Sequence, residues 1–130
     1  MNNQEIFDRV AKHLLQQNCV AVTSFGCAYR GYKNTKCAIG ALIPDDIYDP
    51  DMEGNDIISL LNKYPSIKNL FEGVDKTFLD KLQQCHDSIV RLNVDNIMDD
   101  TDHKKNKDFT SEISNNLRAL AKLYKLEVNF

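Results

Sequence analysis

The stretch DKTFLDKLQQCHDSIVRL, residues 75–92, decides the fold. Phe78, Leu79, Leu82, Cys85, His86, Ile89 and Val90 recur at steps of three and four, so one face of a helix is apolar and the rest is charged. A stripe of that length needs partners of its own kind, and the chain supplies them on both sides. Ile6, Phe7, Val10, Leu14 and Leu15 predict a first helix over residues 3–17, with Asn18 as its left-handed stop. Ile57, Ile58, Leu60 and Leu61 predict a helix over 55–63 that Pro65 ends, and Ile67, Leu70 and Phe71 add a short turn before Gly73. A last helix starts near Thr110, read as its cap, and turns Ile113, Leu117, Leu120, Ala121 and Tyr124 inward.

Between the first helix and residue 55 the pattern changes. Residues 19–23 are short and β-branched, which reads as a strand. Residues 27–30 and 36–39 flank a polar tip at 31–35 and read as a hairpin. Pro44-Asp45-Asp46 suits the first turn of a short helix, where a missing N–H and negative charge are both tolerated. Residues 126–130 alternate and predict a strand closing against the hairpin. Residues 93–108 are polar and predict a mobile surface loop, in which Lys104 and Lys105 only solvate. The expected fold class is α+β: mainly helical, with four to five helices and a small antiparallel hairpin or sheet, in a single domain over 1–130.

A chain of 130 residues suffices for one core without staples. Its net charge of -3 lacks the basic excess of a surface that tracks phosphates, so nucleic acid is not an expected partner. No apolar run is long enough for a bilayer, and residues 1–5 lack the basic start of a signal peptide. A cytoplasmic protein is expected, with Cys19, Cys27, Cys37 and Cys85 as thiols rather than bridges.

Residues 27–54 carry C-x-Y-R-G from Cys27, then K-C-A-I-G-x-L-I-P-D from Lys36, Tyr48, and Met52-Glu53-Gly54; L-Q-x-x-H-D follows at 82–87. This set resembles a group of uncharacterised phage and prophage proteins. The chain departs from it at Tyr32-Lys33-Asn34-Thr35, where a Pro-Asp-Gly type of turn stands in the group. The resemblance implies an origin among mobile genetic elements. Its expected activity is binding to a host protein, such as a defence or regulatory factor, with no cofactor.

Several residues invite a chemical reading. Cys37, next to Ala38-Ile39-Gly40, would be a nucleophile if a helix start stabilised its thiolate, with His86 as base and Asp87 behind it. Against that, neighbours on a helix point about 100° apart, which places Asp87 poorly to orient His86. Cys37 equally suits a buried strand, and His86 equally suits a core histidine bonded to a backbone carbonyl. Cys27, Cys37 and His86 with His13 or His103 would make a zinc set, although the nine residues between the cysteines exceed the usual spacing of about two to four. Residues 49–54 imitate a calcium loop with Gly54 at its sixth position, but Leu60 stands where the bidentate glutamate belongs. Arg30, flanked by Tyr29, would fork a carboxylate or phosphate, or lock the acidic segment internally with Glu53 as first partner. Tyr29, Arg30, Tyr48 and Asp87 are the candidate binding residues.

Two further readings follow. A small cysteine hydrolase or transferase, or a ligand sensor, would use a pocket between the hairpin and helix 75–92. Either requires Cys37, Arg30, Glu53 and His86 to converge on a concave surface.

Overall fold

The computed structural model describes residues 1–93 and 107–130. The predicted polar loop at 93–108 lies almost wholly outside the described residues, together with His103, Lys104 and Lys105. Five α-helices occur among the described residues: α1 (Asn3–Gln17), α2 (Ile57–Lys63), α3 (Pro65–Leu70), α4 (Lys76–Leu92) and α5 (Thr110–Tyr124). A two-stranded antiparallel sheet, β1 (Val22–Thr23) with β2 (Gly26–Cys27), completes a mainly helical α+β fold. No helix among the described residues is long and apolar enough to cross a membrane.

Each helix ends where its side chains provide for it. Asn2 accepts the Glu5 N–H at 2.8 Å to open α1, and Asn18 closes it at φ 53° with its N–H on Leu14. Asp56 opens α2 by accepting the Ser59 N–H, and Asp75 opens α4 by accepting that of Thr77. Pro65 ends α2 and also begins α3 at its first position, where proline forfeits no hydrogen bond. Thr110 is the first residue of α5 rather than its cap: Asp108 takes both its N–H and its hydroxyl, at 2.8 and 2.6 Å.

The stripe of α4 is the centre of the core. It packs on α5 and α2, while α1 packs on α5 and on a 3-10 turn at Gly40–Leu42. Phe7, Phe78 and Phe109 are the largest fully buried side chains, and Phe78 meets Tyr124 edge-on at 4.9 Å.

The irregular segment differs from expectation. Of the strand expected at 19–23 only Val22–Thr23 forms, paired through a tight turn with Gly26–Cys27. The expected hairpin reduces to one bridge between Arg30 and Lys36, with the Gly31 N–H on Thr35 at 2.9 Å. Its tip places Lys33 and Asn34 in left-handed conformation, at φ 59° and 60°. The second arm stops because the chain turns at Gly40, which lies against the Tyr29 backbone; a Cβ there would come within 2.0 Å of the Tyr29 carbonyl oxygen. Residues 44–48 make a single turn on the Pro44 carbonyl, not a helix. Residues 126–130 form no strand against the hairpin. They lie along α1 instead, where Gln4 exchanges two hydrogen bonds with the backbone of Glu127 and Phe130 approaches Phe7 at 6.2 Å.

Candidate functional site

Two carboxylates organise the irregular segment. Glu53 follows a 3-10 turn, Pro50–Met52, that is anchored by buried Met52. Its Oε1 accepts the Tyr29 N–H at 2.8 Å; its Oε2 accepts the Arg30 N–H at 3.1 Å and the Tyr48 hydroxyl at 2.6 Å. The expected Arg30–Glu53 side-chain pair is therefore corrected. Because Glu53 is committed to the backbone of residues 29 and 30, the guanidinium turns the other way. There it reaches Asp45 at 2.8 Å and the Ile43 carbonyl at 3.3 Å, over the Tyr48 ring at 4.1 Å. Burial, reinforced by the bond to Glu53, pushes the Tyr48 hydroxyl up to about 12. Tyr29 donates its hydroxyl to the Asn55 carbonyl at 2.6 Å. In the calcium-like loop, the Asp49 carboxylate is occupied by the Asp51 N–H.

The second carboxylate is Asp87. Its Oδ1 accepts from His86 Nδ1 at 2.8 Å and from Gln83 Nε2 at 3.0 Å. Although neighbours on a helix point about 100° apart, the His86 ring reaches the Asp87 carboxylate. The ring's other nitrogen, Nε2, accepts the Ala21 N–H at 2.8 Å, and Gln83 Oε1 accepts the Ile39 N–H at 2.9 Å. Thus α4 holds two backbone donors of the irregular segment through two side chains, and both of those side chains end on one carboxylate. His86 is a core histidine as expected, but it binds a backbone N–H and not a carbonyl.

The thiol close to His86 and Asp87 is Cys27, while Cys37 lies against the Gln83 side chain. The ligand atoms of Cys27, His86 and Asp87 all lie within 4.8 Å of one another. Cys37 is fully buried, its Sγ accepts the Gly40 N–H at 3.3 Å, and burial pushes its thiol up to about 12. Cys27 is exposed as a residue, yet desolvation of its thiol, with the charge and hydrogen bond of Asp87, pushes it up to about 12 as well. Neither cysteine is primed as a thiolate.

Proton bookkeeping then limits the trio. A peptide N–H is a permanent donor, so Nε2 must carry the lone pair and Nδ1 the proton. The nitrogen facing Cys27 and Asp87 has no lone pair for a metal or for a thiol proton. His13, also weighed for zinc, bonds Gln17 at 3.0 Å, and His103 lies outside the described residues. The chemistry the arrangement performs is holding backbone.

A cleft of about 200 Å³ opens beside the network, lined by Cys27, Tyr29, Glu53, Asp56, Gln83 and Asp87. Ligand pockets commonly span about 300–1,000 Å³. Of Cys37, Arg30, Glu53 and His86, which catalysis requires to converge, the structure brings Glu53 alone to this cleft, beside Tyr29 and Asp87, and leaves Cys37 and His86 in the core and Arg30 on Asp45.

Two features escaped the sequence reading. Gln83 had a signal: with His86 and Asp87 it forms an i, i+3, i+4 set on one helix face. Phe25 had none in periodicity. It sits at the tip of the β1–β2 turn and is 98% exposed, the most exposed large apolar side chain among the described residues. The turn beneath it is fixed, with the Phe25 N–H on Thr23 Oγ1 at 3.2 Å and the Ser24 N–H on the Tyr32 hydroxyl at 3.1 Å.

No protein-family model, curated protein or solved structure matches this chain.

Proposed function

We propose that the protein is a non-enzymatic interaction module of phage or mobile-element origin, acting in the host cytoplasm, that binds and modulates a host protein through the Phe25 turn. The observation that carries this reading is the 98% exposure of Phe25 on a turn with a bonded backbone. A bonded turn backbone leaves only side-chain rotamers to be ordered when a partner buries the ring, which gains roughly 2–3 kcal/mol from the lost contact with solvent. Catalysis finds less support, since the thiols are desolvated and the one nearby imidazole has spent its lone pair on Ala21.

Affinity capture from bacterial lysate, followed by reconstitution with the purified partner, tests the reading. Wild-type protein is expected to retain one stoichiometric partner, and Phe25→Ala to weaken that complex by roughly 30-fold. Equal affinity of wild type and Phe25→Ala would remove the turn as the contact point, and no partner at all would remove the reading.

A further inference from the structure

Ala21 and Phe25 belong to one short stretch of chain, and α4 grips that stretch through His86. The Nε2 bond to Ala21 is buried on both sides, and it exists only while that nitrogen is unprotonated. An imidazolium carries N–H on both nitrogens and would turn one of them onto the Ala21 N–H, donor against donor. At a buried position, that contact must open.

We propose that His86 is an acid-operated latch: protonation of its ring breaks the Ala21 contact and releases the β1–β2 turn, with Phe25 at its tip, from α4. This deepens the reading of that turn as the contact face and rests on it. Charged and titratable groups face the ring or its neighbours from three elements. On α4, the Asp87 carboxylate lies against Nδ1. From β2, Cys27 adds a neutral thiol within 4.8 Å, and Arg91 acts on that thiol from the end of α4. From α1, His13 and His86 repel each other when both are charged, and Lys36 beyond the hairpin adds to that repulsion at His13.

The test reads the free protein, so it is independent of any partner. Nitrogen-15 resonances of the His86 ring and hydrogen exchange of the Ala21 amide are followed together from pH 8 to 5. As the ring protonates, Ala21 is expected to lose protection roughly tenfold more than the amides of α4, because its acceptor has gone. His86→Gln retains an acceptor oxygen that does not titrate, and it should make Ala21 protection independent of pH. Should that variant misfold, Asp87→Asn serves instead: without the carboxylate, the loss of protection moves to lower pH. Protection of Ala21 that survives ring protonation overturns the latch, as does a ring that stays neutral until the whole protein unfolds. If Ala21 behaves as expected while Phe25→Ala binds normally, the latch stands and the contact face falls.

Discussion

The helical half of the molecule and the segment from Cys19 to Asp56 are held together by different physics. In α1, α4 and α5 the backbone satisfies itself, and the side chains that matter are interchangeable apolar volumes such as Ile6, Leu82 and Leu117. In the segment, two strands of two residues and three short 3-10 turns leave many peptide groups without a ladder. Side chains take over: Glu53 holds residues 29 and 30, Gln83 holds Ile39, His86 holds Ala21, and Gln17 accepts the Lys36 N–H. A core of volumes degrades gradually when one member changes. A set of single-atom acceptors does not, because each lost acceptor leaves a buried donor with nothing.

An isosteric pair of substitutions breaks or sharpens that contrast most directly. Glu53→Gln preserves shape but offers one acceptor where three donors converge, so the Arg30 N–H faces an amide N–H. We expect a loss of about 2–3 kcal/mol in urea unfolding. Leu82→Met, in the middle of the α4 stripe, should lose less than about 1.5 kcal/mol. If the methionine variant proves the less stable of the two, the division between the halves is wrong.

That division also governs what the sequence could reveal. The helices were legible because burial on a 3.6-residue period is written locally: every apolar residue assigned to the α4 stripe is buried. The segment was legible only as turns and short arms. Its decisive bonds join residues far apart in the chain, Ala21 to His86, Ile39 to Gln83 and Tyr29 to Glu53. A histidine, a glutamine and a glutamate have no pattern that announces which peptide group each will hold. The zinc set put both Cys27 and Cys37 beside His86 and the catalytic reading used Cys37, whereas the thiol close to the ring is that of Cys27. Position 37 follows the chain into the core at Gly40, whereas position 27 stays on the edge strand above α4.

A smaller effect is expected from His13, which bridges the two halves between α1 and the hairpin base. Burial chiefly, with the charges of Lys36 and His86, lowers its pKa below 6.5. The unfolded chain therefore takes up this proton first as the pH falls. Stability contributed by the neutral ring is fully present above about 6.5 and is lost as the pH drops through the lower folded value. Denaturation midpoints between pH 7.5 and 5 should fall in the wild type and fall less steeply in His13→Gln. Identical slopes would show that the ring shifts no proton on folding.

The smallest effect lies at the hairpin tip, where Lys33 and Asn34 add backbone strain. Lys33 at φ 59° and ψ 38°, followed by Asn34 at φ 60°, with the Thr35 N–H on Tyr32 at 3.3 Å, describes a left-handed two-residue turn of the primed kind. Such a turn matches the twist of the chain on either side, but lysine enters the left-handed region only against its Cβ. Asparagine tolerates that region better, because its short side chain bonds locally. Lys33→Asn should stabilise the protein by about 0.5 kcal/mol, or roughly 2 °C in the melting midpoint. Glycine at 33 should gain less, since it also frees the unfolded chain. A melting midpoint that stays put in Lys33→Asn while glycine raises it would mean that relief of steric strain alone, not local side-chain bonding, governs the tip.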